Sequence, residues 1–243
     1  MANLDAIARM AELDGVFPVD KPPDVPFQEV VQTVKRKFNI AKVAHGGSLD
    51  AAASGVFLVL VGDASRLTQA LMCADKTYSA VLRLGVSTDT FDRNGRVTGT
   101  RTVEASLVDA AAIERALDAD FRGDCFETKP RFAAIMRNRS TAYEIVPVDG
   151  EKPRLVHYYR IDVASFAPPV LSLDIKCAKD ASPRALAGAL GESLGCGAVL
   201  ESLRRLSAGR FDVSSAVPYE EVLSMNPLDF AARVVRTPEA FRQ

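Results

Sequence analysis

Two histidines and four cysteines in 243 residues leave little for a metal or a disulfide framework. Cys73, Cys125, Cys177 and Cys196 stand far apart and no Cys-x-x-Cys occurs, which argues against a zinc site and against a disulfide-stapled fold. Reduced thiols suit a cytosolic protein. Long apolar runs are missing as well; none approaches the ~20 residues that a membrane-spanning helix needs. Met1 to Leu13 carries Asp5 and Glu12 and lacks a basic stretch followed by an apolar one, so no signal peptide is expected. These absences predict a cytoplasmic protein without metal or membrane. Net charge is also lacking: 30 Lys and Arg against 31 Asp and Glu give −1. Global charge therefore does not advertise nucleic-acid binding. Local clusters remain at Lys35, Arg36 and Lys37, at Lys129, Arg131, Arg137 and Arg139, and at Arg204, Arg205 and Arg210. Taken singly, each reads as a solvated face; a neutral protein can still present a basic cleft.

What is present is an ordinary globular composition, 48% hydrophobic and 25% charged. Val16 to Val19 reads as a short strand. Phe27, Val30, Val31, Val34 and Phe38 follow the spacing of an amphipathic helix, with Lys35 to Lys37 near its C-terminal end. Val56 to Val61 reads as a buried strand, and Asp63 as the cap of a helix to about Met72. Lys76 to Leu84 alternates as a strand does, with Tyr78, Ala80, Leu82 and Leu84 on one side. Asn94-Gly95 signals a hairpin. Thr90 and Arg101 stand where a calcium loop would need acidic ligands, so Asp89 to Gly95 is not one. Ser106 to Leu117 reads as a helix, Gly123 to Arg139 as irregular and basic, and Ser140 to Val146 as a short helix stopped by Pro147. Arg154 to Phe166 and Val170 to Ala178 read as strands, and Ser182-Pro183 as the start of a helix closed by Gly195. One or two short helices are expected after Asp212. No repeat and no regular βαβ alternation appears, which points to α+β with a mixed, largely antiparallel sheet flanked by helices.

One stretch organises the rest: Ala44-His45-Gly46-Gly47-Ser48-Leu49-Asp50-Ala51-Ala52-Ala53-Ser54-Gly55, directly before the apolar strand. Small residues leave open space beside the Asp50 carboxylate. On spacing alone, an Asp among glycines is most simply a turn or capping residue. The stretch resembles, however, the motif of TruB-type tRNA pseudouridine synthases. Other pieces resemble that family in the same order: Asp20-Lys21-Pro22, Asp75-Lys76-Thr77-Tyr78, Arg83-Leu84-Gly85 with Thr88-Asp89-Thr90 and Asp92-Arg93-Asn94-Gly95, Leu194-Gly195-Cys196-Gly197-Ala198, and Leu203-Arg204-Arg205. The likeness runs from about Gly15 to Phe211.

The resemblance implies the pseudouridine synthase fold with a catalytic cleft. It implies a catalytic domain over 1–211, with an added loop or small subdomain near 123–152, and a C-terminal extension over 212–243 too short for a separate RNA-binding domain. The activity it implies is conversion of uridine to pseudouridine at position 55 in the T arm of tRNA, with the target base flipped out. That isomerisation needs no redox change or energy source, so no cofactor is expected; the partner is tRNA and the chain is expected to act as a monomer. By motif position Asp50 is the catalytic carboxylate, Arg184 its pairing cation and Tyr78 the residue that stacks on the base. His45, Ser182 and Leu203 fall near the nucleotide, Arg137 and Arg139 among RNA contacts, and Lys21 and Pro22 in support of the active-site loop. Without the resemblance, Arg184 reads as an exposed first-turn residue, Tyr78 and Leu203 as core, and His45 as a loop residue. Ser182 replaces a usual Tyr, and Ala51-Ala52 a usual Pro-Leu. Two other functions are compatible with these residues: an RNA-binding or RNA-folding protein of the same fold with little or no catalysis, and a synthase for another structured RNA.

Overall fold

A computed structural model describes residues 13–104, 108–136, 143–147 and 152–237. Arg137 and Arg139, and the N-terminal segment up to residue 12, lie outside them. In chain order the elements are β1 (Gly15–Lys21), α1 (Phe27–Lys37), β2 (Val43–His45), β3 (Ser54–Val61), a 3-10 segment (Gly62–Leu67) running into α2 (Thr68–Met72), and β4 (Lys76–Leu84). There follow β5 (Val86–Thr88), β6 (Val97–Thr100), α3 (Ala110–Asp120), β7 (Gly123–Glu127), β8 (Phe132–Met136), β9 (Tyr143–Pro147), β10 (Arg154–Ala167) and β11 (Val170–Cys177). The chain continues through α4 (Pro183–Ser193), β12 (Ala198–Ala208), β13 (Phe211–Asp212), a 3-10 turn, β14 (Val217–Pro218), α5 (Tyr219–Ser224), α6 (Pro227–Arg233) and β15 (Val235–Arg236).

Two compact units emerge: residues 1–74 with 205–243, and residues 75–204. In the first, β1 pairs antiparallel with β3 and parallel with β14, β2 adds to β3, and β15 adds to β1. β3 is buried from Gly55 to Val61 on both faces, which explains its unbroken apolar run. Val16, Leu58, Leu60, Leu71 and Phe211 form one cluster of this core. Phe230 of α6 stacks on Phe38, with ring centroids 3.9 Å apart, and tilts against Phe17 at 4.6 Å.

In the second unit β4, β11, β10 and β7 pair antiparallel in that order. Tyr78, Ala80, Leu82 and Leu84 make the buried face of β4, as the alternation predicts. Leu186 and Leu190 of α4 and Ile113 and Leu117 of α3 are buried with them. Among the described residues the sheets are mixed and largely antiparallel, with six α-helices.

Four local expectations change. Asp63 caps nothing: the first turns after β3 are 3-10, and Asp63 binds the Lys42 ammonium at 2.9 Å instead. Helix α3 begins at Ala110, with Asp109 as its cap accepting from the Ala112 amide, while Ser106, where the expected helix starts, lies outside the described residues. Gly123 to Arg139 is not irregular throughout; it contains β7, an edge strand on β10, and β8. Within Ser140 to Val146, the described residues from Tyr143 onward are strand rather than helix. Phe132–Met136 supplies their ladder, from Met136↔Tyr143 to Phe132↔Pro147. A short apolar run has no helix–strand preference of its own, so the available partner decides.

Candidate active site

The Asp50 loop is built by β2, β3 and the end of β1. His45 pairs with Val59, and the Gly46 amide donates to the Leu58 carbonyl at 2.9 Å, so the chain leaves the sheet at Gly46. It returns at Gly55, whose φ of +104° is left-handed. A Cβ at Gly55 would lie 2.1 Å from the Arg205 carbonyl oxygen, so only glycine fits beside β12 there. Leu49 and Ala53 are buried and pin the loop from below, while Asp50 between them is exposed. The Ala53 amide closes the tip on the Asp50 carbonyl at 3.0 Å.

Two buried cations hold the loop's carbonyls. Lys21 is fully buried, and its Nζ donates to the carbonyls of Pro22, Val25 and Ala51 at 2.8, 2.9 and 3.0 Å. Three ammonium N–H groups thus meet three carbonyls, one of them immediately after Asp50. Burial pushes the Lys21 ammonium down to about 8, against the pull of the Asp50 and Asp24 carboxylates. Arg205 is 2% exposed; its Nε donates to the Val56 carbonyl at 2.7 Å and its Nη1 to the Ser48 carbonyl at 3.0 Å. Ser48 and Ala51 bracket Asp50, so both sides of the carboxylate's backbone are tied to charge. His45 packs between Phe27 and Phe57, at 5.0 and 5.9 Å, and its Nδ1 accepts from the Gly47 amide. Burial and then the Arg205 charge hold its pKa below the usual imidazole value, which keeps the ring neutral.

The second unit carries Tyr78, Arg184, Ser182 and Leu203. Tyr78 lies on β4 opposite Ile175 and is 7% exposed; Leu203 on β12 is equally buried in kind, at 9%. Ser182 caps α4, its Oγ accepting from the Ala185 amide at 3.4 Å, and Pro183 occupies the first turn. Arg184 follows, mostly buried, with Nη1 3.6 Å from an Asp92 carboxylate oxygen. Asp92 is itself fixed, accepting from the Thr90 hydroxyl at 3.0 Å and the Asn94 amide at 2.9 Å. The turn after β5 therefore presents an ordered carboxylate to Arg184.

Three residues escaped the sequence reading. Arg205 was grouped with surface cations, yet strand alternation puts it on the buried face of Leu203; assigning β12 is the signal that finds it. Asp92 was visible only as a turn residue. Glu127, 7% exposed, lay in a stretch read as irregular. No group of His, Cys, Asp and Glu among the described residues could hold a metal ion. No helix there is long and apolar enough to cross a membrane.

With this geometry in hand, known structures define the fold. The chain matches one chain of a Cbf5–Nop10–Gar1 complex at TM-score 0.70 and 23% identity, covering 97% of this chain and 63% of that one. It has the pseudouridine synthase fold. Residues 35–182 match the TruB family pseudouridylate synthase N-terminal domain. The tRNA pseudouridine synthase B of Dechloromonas aromatica is 36% identical over 229 residues, 93% of this chain and 74% of that protein. That of Opitutus terrae is 32% identical over 232 residues, 94% of this chain and 95% of that protein. The chain belongs to the TruB family of pseudouridine synthases, and the enzyme is an isomerase.

Proposed function

We propose that the protein converts uridine to pseudouridine at position 55 in the T arm of tRNA, acting in the cytoplasm with no cofactor. The observation that carries this reading is the exposed Asp50 carboxylate, set between two carbonyls that buried cations hold. Catalysis by a carboxylate needs it fixed to a fraction of an ångström, and a loop alone does not give that. The reaction breaks the bond between uracil N1 and ribose C1′, turns the base, and joins C5 to C1′. Asp50 is the residue that reacts, at the base or the ribose. Tyr78 stacks on the uracil and assists removal of the C5 proton, and Leu203 lines the base pocket. Arg184 is the cation of the catalytic set, oriented within its own unit by Asp92. His45 and Ser182 lie along the flipped nucleotide, Lys21 and Pro22 support the loop, and Arg137 and Arg139 take phosphates. A target in an RNA loop suits this chemistry, because extruding an already unpaired base costs little.

The test is a pseudouridine map of total RNA from cells lacking the protein. Loss confined to tRNA position 55 supports the assignment. A map unchanged at that position removes it and favours an RNA-binding role for the fold. Loss in a different structured RNA moves the substrate and keeps the chemistry.

A further inference from the structure

Glu127 ends β7 with its carboxylate buried between two donors. One oxygen accepts from the Tyr158 hydroxyl on β10, and the other from the Ser182 amide at 2.9 Å. Ser182 is the cap of α4, and its own side chain takes the Ala185 amide. In a capping box the residue three positions after the cap returns a carboxylate to the cap's amide. Here that position is Ala185, which has none to give. Glu127, from a strand far back in the chain, supplies the missing acceptor. The charge also sits at the positive end of α4, where an anion is favoured.

We propose that Glu127 is a positioning residue of this enzyme: its ionised carboxylate ties the first turn of α4 to β7 and so fixes the backbone from which Arg184 extends. This rests on the reading of Arg184 as part of the catalytic set. Arg184 stands two residues beyond Ser182 in that turn, and its head group lies 3.6 Å from Asp92. Protonation loosens the tie. Tyr158 O–H and Ser182 N–H are both donors, so a carboxylic acid adds a third donor to two acceptor oxygens. Burial pushes Glu127 up to about 6, against the hydrogen bonds from Tyr158 and Ser182 and the Lys129 charge. The groups facing it are Tyr158 and Arg154 of β10, Cys125 of β7, Cys177 of β11, and Lys129. Tyr158 is raised well above its usual value, Cys125 to about 11 and Cys177 to about 12, so these three stay neutral near pH 6. His157 and Asp124 pair on the opposite face of β10 and β7.

The test follows the Ser182 amide by NMR and single-turnover pseudouridine formation on tRNA, both from pH 5 to 8, in wild type and Glu127→Gln. Gln, like the protonated acid, sets one acceptor oxygen and one donor against the Tyr158 hydroxyl and the Ser182 amide, and it has no charge to titrate. In wild type the Ser182 amide shift should titrate with a midpoint near 6, and the rate at pH 5 should be about tenfold below its plateau, as for one essential ionised group. In Glu127→Gln the amide shift should be flat, the acid limb should vanish, and the rate should stay at every pH near the wild-type value at pH 5, about tenfold below the wild-type plateau. KM for tRNA should not move in either protein. A Ser182 amide indifferent to pH in wild type would overturn the tie. An acid limb that survives in Glu127→Gln would overturn the link to Arg184. If wild type forms no pseudouridine at any pH while Ser182 titrates, the tie stands but the reaction it was to serve is gone, and the positioning role falls with the proposed function.

Discussion

The Asp50 loop and the start of α4 face the same problem with opposite signs. At the loop, the groups to be held are carbonyls, and Lys21 and Arg205 hold them. At the helix start, the group to be held is an amide, and Glu127 holds it. The sign of the buried charge follows the backbone group that needs a partner. Both devices lower stability at neutral pH, since burial moves Lys21 down and Glu127 up, each toward its neutral form. Charges kept at such positions suit a site where placement matters more than stability.

The sharpest way to separate holder from held is Asp50→Asn. Pseudouridine formation should fall below detection, while tRNA binding and thermal midpoint stay at wild-type values, because an exposed side chain carries little of the fold. Equal turnover by the variant would return Asp50 to the role of a turn residue. Arg184→Lys keeps the charge and loses the planar fork, so single-turnover rates should drop roughly tenfold or more. Arg205→Met should act through the fold. It leaves the Ser48 and Val56 carbonyls without their donors and should lower stability in urea by about 2–5 kcal/mol. If Arg205→Met were as stable as wild type, the loop would not depend on that cation.

Lys21 and Glu127 give the comparison a pH axis. Above about 8 the Lys21 amine has two N–H groups for three carbonyls, so the rate should fall on the alkaline side. Stability should not fall with it: a lysine held below its unfolded value contributes more as pH rises through 8 toward 10.5. Rate and thermal midpoint measured together from pH 7 to 10 check this; a parallel decline would point to global unfolding instead. For Glu127 the sign runs the other way. A carboxyl raised from 4.5 to about 6 contributes stability that is full below 4.5 and lost as pH rises through 6. Glu127→Gln should therefore be about 1–2 kcal/mol more stable than wild type at pH 7.5, with the difference fading toward pH 4.5. Urea titrations at the two pH values read it directly.

Sequence alone determined much of this protein. The alternation of Lys76 to Leu84, the Ser182-Pro183 start of α4 and the apolar run after Gly55 are local signals, and each became the element it announced. The order of motifs around Asp50 identified the family, because spacing survives where single residues vary. Tertiary structure decided what local pattern leaves open. Phe132–Met136 and Tyr143–Pro147 became strands because each offered the other a ladder. Arg204 and Arg205 read alike in sequence. Strand geometry sends neighbours to opposite faces, and only packing against β3 made Arg205 the buried one, with the Ser48 and Val56 carbonyls as its partners. Glu127 needed the same step. A carboxylate's role at a helix start could not be read from its neighbours in sequence, since the amide it serves lies more than fifty residues ahead, at a separation of 55.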